Sequence, residues 1–419
     1  MKAFHIKFNK FERPPDLLYA GFLLLTFIIL LIIAGFLPLL SYQEARRAII
    51  IQETFLSHSL IPQFNGEPYF TKPPLHTWLS FPFYALGKIT QQEIFFMRLL
   101  SFLSYFGVIY FIYLFSQKNF SKTLLSVLIL FSSYRFLSFI YRIDLEPLFV
   151  FLTLGTIYFA LKYNENSLFK YSFLFYLFFA LAFMVRGPLH FFLLPAFLLY
   201  ALFSKNKNFL KLLFNPAGWF IFLSIVLPFY VFGYLKYGSK IFHEFLKTDL
   251  SNRLFEKKDP FYYYFKAFIL NFIPYFFLLF LKIKTLKECF SYFLKKYPSN
   301  FFISLCIFPL IFLSFTGQKF DKYLLFLYPF FSLFLAELLL KLYRENFLFK
   351  LSSLFYGLSF LAVILTLLIP YKNLKIETNL WKIYLDPTKE YLFYQNIQPL
   401  ALFLLKRPVP LIENLENLQ

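Results

Sequence analysis

What most constrains this chain is a series of apolar runs repeated from end to end, each roughly 17 to 25 residues long, the length at which a helix crosses the hydrocarbon core of a bilayer. They fall at 17–41, 95–116, 121–140, 146–163, 168–185, 188–204, 217–236, 262–281, 298–316, 323–341 and 350–370. A soluble domain carries about 25% charged residues. Here charged residues are 15% and hydrophobic residues 59% of 419, which leaves no soluble shell to cover so many runs. The expected fold class is an all-α polytopic membrane protein with about eleven transmembrane helices. The run at 17–41 is too long for a signal-peptide core and lacks a clean small-residue cleavage site, so it is expected to remain as the first span.

A net charge of +20 would suit a nucleic-acid binder, but its distribution argues otherwise. Basic residues crowd every second loop: Lys2, Lys7, Lys10 and Arg13; Lys118 and Lys122; Lys162 and Lys170; Lys205, Lys207 and Lys211; Lys282 to Lys296; Lys341, Arg344 and Lys350. That pattern orients a membrane protein with these loops in the cytoplasm. The N-terminus is then cytoplasmic, and the short tail 371–419 lies outside. The two cysteines, Cys289 and Cys306, form neither a metal motif nor a disulfide framework. The histidines show no metal-ligand spacing, and no phosphate-cradling glycine loop or GxSxG elbow is present.

The outer loops hold the unusual polar residues. Loop one, 42–94, is expected to form two interfacial helices. The first covers EARRAIIIQETFL (44–56); a turn at NGEP and a stop at KPP follow; the second covers LHTWLSFPFYAL (75–86), short for a span and interrupted by Pro82. Five polar clusters share this side: Glu44, Arg46 and Arg47; Lys72 between Tyr69, Phe70 and Pro73; Arg142, Asp144 and Glu146; Lys240 to Arg253; and Lys319, Lys322 and Tyr323. Ionisable groups at membrane depth usually mark a site or a pathway. Asp144 beside Arg142 suits a general base, a metal ligand or half of an ion pair. Convergent Lys and Arg suit a phosphate or diphosphate, or a lipid headgroup. Glu44 and Asp144 together could hold a divalent cation; no other cofactor is indicated.

The stretch QEARRAIIIQETFLSHSLIPQFNGEPYFTKPPLHTWL resembles the first outer loop of bacterial GT-C glycosyltransferases, among them the aminoarabinose transferase of lipid A and relatives of the protein O-mannosyltransferases. Their pattern is Asp-Glu-x-Arg, a helix, then Asn-Gly-x-x-Tyr-Phe-Glu-Lys-Pro-Pro. Glu44, Arg46, Asn65, Gly66, Tyr69, Phe70, Lys72, Pro73 and Pro74 match it. YRIDLEPLFVFL with Asp144, MVRGP with Arg186, DPFYYY, and SFTGQKFDKYLLFLYP with Lys319 and Tyr323 resemble later segments of the family in the same order. Three positions depart: Gln43 stands for the family's Asp, Thr71 for its Glu, and Asp321 for its Pro.

The resemblance implies a GT-C transmembrane domain over 1–370 in the bacterial inner membrane. Its reaction would pass a sugar, with inversion, from a polyprenyl-phosphate donor to lipid A, another glycolipid, polysaccharide or protein at the outer leaflet. It implies that Lys72, Arg253, Lys319 and Tyr323 hold the donor phosphate, that Arg46, Tyr69, Arg142 and Arg186 complete the substrate site, and that Asp144 and Glu44 position or deprotonate the acceptor. With Gln43 in the Asp position, the base is left open between Glu44, an anionic acceptor that needs none, and loss of activity. Membrane lipids are the expected surroundings and nucleic acid is not a partner. A flippase or exporter would carry charges in mid-span; a surface-polysaccharide polymerase or ligase would lack the NGEPYFTKPP segment.

Overall fold

A computed structural model describes residues 15–245, 259–282, 299–386 and 388–412. Among them six helices are long and apolar enough to cross a membrane: Leu17–Phe36, Glu93–Phe115, Phe169–Leu202, Lys207–Tyr237, Asp321–Leu342 and Glu345–Leu368. A seventh candidate is the pair Tyr263–Asn271 and Ile273–Leu281, bent by 82°. The protein is a helical, multi-pass membrane protein, and its helices divide differently from the eleven expected runs. The expected span 121–140 is a 12-residue helix, Phe120–Phe131, followed at Ser133 by a single capped turn, Tyr134–Leu137. The span 262–281 breaks at Phe272, two residues before Pro274, which has no N–H to carry the ladder through.

For the chain near the site we use α1 (Pro15–Phe36), α2 (Tyr42–Leu56), α3 (Leu75–Thr90), α4 (Glu93–Phe115), α5 (Phe120–Phe131), α6 (Tyr134–Leu137), α7 (Glu146–Asn166) and α8 (Phe169–Arg186). The Phe169–Leu202 stretch is helical throughout yet folds back on itself. Phe183 meets Phe191 at 5.1 Å between ring centroids and Phe175 meets Phe197 at 5.9 Å, an antiparallel pairing about Gly187. Gly187 adopts φ +74°, where a side chain would be strained, and Pro188 cannot continue the α8 ladder. Arg-Gly-Pro is therefore a stop-and-reverse signal with a cation at the helix C-terminus, where the dipole favours it.

Lipid tails are as apolar as Phe, so helix association here rests on close packing and hydrogen bonds rather than on transfer from water. Tyr176 of α8 shows both. Its ring lies where a Cβ on Gly218 would be 1.9 Å away, and its hydroxyl donates to the Leu212 carbonyl at 2.7 Å.

The polar ends sort to two sides. At one end Lys122 pairs with Glu337 at 3.2 Å, Asn208 donates to the Asn164 carbonyl at 3.1 Å, and Lys282 stands over the Tyr343 ring. The other end gathers loop one, the Ile143–Glu146 turn, Gly187, Asp259, the 316–323 turn and the C-terminal segment. Loop one is more deeply covered than the expected interfacial pair. α2 buries residues all round, including Glu44, Arg47, Ile49, Ile51 and Gln52. α3 buries His76, Ser80, Tyr84 and Gly87 and leaves Leu79, Leu86 and Ile89 exposed on the opposite face. Between them, Asn65 (φ +54°) and Gly66 (φ +77°) make the tight turn of a hairpin, Gln63–Phe64 against Glu67–Pro68, the backbone that Asn-Gly favours.

The tail does not trail away from this end. The helix Glu345–Tyr384 is 40 residues long and continues past the bilayer run that ends at Leu368, and the short helix Pro399–Leu405 packs on α2. The Asn65 amide donates to the Val409 carbonyl at 2.9 Å and accepts the Val409 N–H at 2.8 Å, clasping the hairpin to the tail.

Candidate functional site

Asp144 lies in the turn before α7, only 9% exposed, with its Oδ1 accepting the Leu145 N–H at 2.7 Å. Burial alone would raise its pKa. The charges of Lys322, Arg47 and Arg186 outweigh that, with help from the Leu145 N–H, and hold it below the usual carboxylate range. These cations come from three separate elements: α2, the end of α8, and the 3-10 helix Asp321–Leu327. The second carboxylate, Glu146 in the first turn of α7, receives Arg186 at 2.7 Å and Lys322 at 3.6 Å. The Arg186 guanidinium also stacks over the Tyr323 ring at 4.7 Å. With three cations against two carboxylates, this centre carries an excess positive charge, the condition for holding a phosphate.

Loop one supplies the opposite wall. Arg47 donates to the Tyr69 hydroxyl at 3.5 Å and stands 5.8 Å from its ring centroid; Arg46 is 6.0 Å from the same ring and bonds Gln43 one turn back. His76 is buried at the start of α3. Burial and the Arg47 charge push its pKa down to about 4, against the pull of Asp144, so it is neutral at physiological pH. Lys72, 6% exposed, occupies the turn between Phe70 and α3. Arg142 stacks against Phe139 and Tyr141 at 5.5 and 5.6 Å.

Two expected residues serve neighbouring structure. The Glu44 carboxylate receives Arg98 Nε at 2.9 Å and the Ile143 N–H at 3.1 Å on one oxygen, and the Leu40 N–H at 2.7 Å on the other. Arg98 completes the arrangement by donating to the carbonyls of Ala34, Leu37 and Pro38. Lys319 donates to the carbonyls of Asp259 and Thr316, and its own N–H bonds the Asp259 carboxylate at 2.8 Å. These bonds fasten the 316–323 turn that presents Lys322 and Tyr323. Arg253 lies outside the described residues. Among the described residues no three His, Cys, Asp or Glu side chains gather to hold a metal ion. Sequence reading left out Arg98 and weighed His76 only as a metal ligand, which its spacing did not support. Arg98 had a signal, being one Arg inside the apolar run EIFFMRLL, where a charge needs a named partner.

Compared with solved structures, the chain matches the crystal structure of ArnT from Cupriavidus metallidurans bound to undecaprenyl phosphate with a TM-score of 0.81, at 15% identity, over 95% of this chain and 86% of that one. The apo-state structure of the same protein gives 0.80 at 14%, over the same shares. The chain shares the fold of ArnT. Within this fold, residues 71–232 match the family model of dolichyl-phosphate-mannose-protein mannosyltransferases. The matched stretch starts beside Lys72 and takes in Asp144 and Arg186. A protein of Aquifex aeolicus (strain VF5), described as uncharacterized, is 27% identical over 290 residues, 67% of this chain and 55% of that protein. The chain thus spans about half the length of that relative.

Proposed function

We propose that the protein transfers a sugar from a polyprenyl-phosphate donor to an acceptor hydroxyl at the extracytoplasmic face of the bacterial inner membrane, with inversion at the anomeric carbon. The observation that carries this reading is the buried Asp144 carboxylate ringed by Arg47, Arg186 and Lys322. Support comes from ArnT, which shares the fold and was crystallised bound to undecaprenyl phosphate, and from the mannosyltransferase family match.

In this reading Arg186, Lys322 and Lys72 hold the donor phosphate, and Arg47, Arg46, Tyr69, Arg142 and Tyr323 shape the space around it. The acceptor oxygen forms its bond to C1 as the bond from C1 to the phosphate oxygen breaks. The electron pair leaves on the phosphate, where the cations stabilise it. Asp144, ionised at neutral pH, accepts the hydrogen bond of the acceptor hydroxyl and takes its proton as the new bond forms. Glu44 is left out of the chemistry and keeps a structural part. The short helices, the bent pair and the reversal at Gly187 supply the crossings beyond the six long helices, and the basic loops face the cytoplasm.

The test is a transfer assay with purified protein in lipid nanodiscs, a panel of polyprenyl-phosphate sugars, and lipid A, neutral glycolipid and peptide acceptors. Asp144→Asn is expected to lower turnover by a factor of about 10²–10⁴ while donor binding persists. Transfer at the parental rate would show that Asp144 is an ion-pair partner only.

A further inference from the structure

A cleft of about 640 Å³ opens between the loop-one hairpin and the C-terminal segment, within the range of about 300–1,000 Å³ that small-molecule sites span. Phe64, Glu67, Pro68 and Tyr69 form one wall, and Pro408 and Leu411 stand on the other. Tyr69 belongs to two places at once. It lines this cleft, and it also meets Arg46 and Arg47 of the charged centre. The cleft and the cations are thus separated by the thickness of one side chain.

The two spaces have opposite chemistry. Among the described residues that line the cleft the one carboxylate is Glu67, and its Oε2 is paired with Lys240 Nζ at 3.0 Å. The pair is neutral as a unit, so the cleft lacks the excess of cations that the charged centre offers a phosphate. The rings of Phe64 and Tyr69, set at 67° with centroids 6.4 Å apart, and the prolines offer flat apolar faces beside one acceptor-rich carboxylate. A sugar ring presents the complement: a C–H face for the rings and hydroxyl donors for Glu67.

We propose that this cleft is an acceptor subsite for an uncharged sugar, leading its hydroxyl past Tyr69 to the charged centre. The proposal rests on the transfer reading above and adds the class of acceptor. Donor and acceptor are sorted by charge: the anionic donor on the cations, the neutral sugar on the rings. The tail is part of the subsite, since Gly66 must lack a side chain for Pro408 to close the wall. A Cβ there would sit 2.9 Å from the Pro408 ring.

Two variants test it in the same nanodisc assay, Leu411→Trp to fill the cleft and Glu67→Gln to remove its carboxylate. With a neutral glycolipid acceptor, Leu411→Trp is expected to raise the acceptor KM roughly tenfold, equal to about 1.4 kcal/mol. Glu67→Gln should raise it several-fold. The donor KM should be unchanged in both, and a phosphorylated glycolipid should be the poorer acceptor. An unchanged acceptor KM in both variants overturns the subsite. So does a phosphorylated glycolipid that outperforms the neutral one and improves further with Glu67→Gln, and so does transfer to a peptide alone. If the parental protein binds no polyprenyl-phosphate sugar, the transfer reading has failed instead. Saturation-transfer NMR with methyl glycosides of neutral hexoses then tests the cleft by itself: signal in the parental protein that is lost in Leu411→Trp supports it, and no signal in either rejects it.

Discussion

Arg98 and Glu44 are 0% and 1% exposed, and Arg98 donates to Glu44 of loop one, to Ala34 at the end of α1 and to Leu37 and Pro38 in the link between them. Removing one partner of a buried pair leaves the other charge unpaired, at a cost of about 3–5 kcal/mol. Arg98→Met is therefore expected to destabilise the fold by about that amount, read as denaturant-induced unfolding in detergent, and Glu44→Gln by less, since an amide still accepts from Arg98. An unaltered unfolding curve for Arg98→Met would show that the pair does not brace loop one. His76 gives a pH signature. Its folded pKa is near 4 and its ordinary value 6.5, so between these values the unfolded chain binds the extra proton. Stability should be full above about pH 6.5 and fall as pH drops toward 4, by on the order of 3 kcal/mol. A melting series over pH 4–7 should show the slope, and His76→Gln should flatten it. At this scale the residues themselves were legible: Asp144, Arg186 and Tyr323, named from separate segments by the resemblance, lie near one another. The Glu44–Arg98 bond was not, because its ends lie 54 residues apart and no local pattern couples them.

Among the elements, turns were read more faithfully than spans. Asn-Gly and Arg-Gly-Pro encode their geometry within two or three residues, and both appear where the sequence placed them. Hydropathy counts apolar length but is blind to breaks. The Ser132–Ser133 step and Pro274 therefore divide runs that look continuous. The role of Asn65 could not be read locally either, since its partner is 344 residues away. Asn65→Ala removes both bonds to Val409, each worth about 0.5–1.5 kcal/mol. Limited proteolysis should then release the segment beyond residue 385 faster than in the parental protein, while the transmembrane core stays protected. Equal release rates would mean the clasp holds nothing.

For the whole molecule, the described polar residues sort to two ends. Single cysteines at Glu67 and Glu165, both exposed and at opposite ends, convert this into a test of orientation. In intact spheroplasts an impermeant thiol reagent is expected to label the first and spare the second. The reverse pattern would invert the proposed topology and place the charged centre in the cytoplasm.

The Arg98 cluster also carries a timetable. The carbonyl of Ala34 leaves the ribosome 64 residues ahead of the guanidinium that binds it. At synthesis rates of roughly 5–20 residues per second, that is a wait of roughly 3–13 s. Through that interval the first helix has been made but its exit is unfastened, and Glu44 has no cation. Arg98 is made with the second long helix, and only then is the cation that Glu44 binds in the folded protein present. A nascent chain halted before Arg98 holds the segment in an unfinished state, and one halted after it has the anchor in place long before the tail arrives to close the cleft.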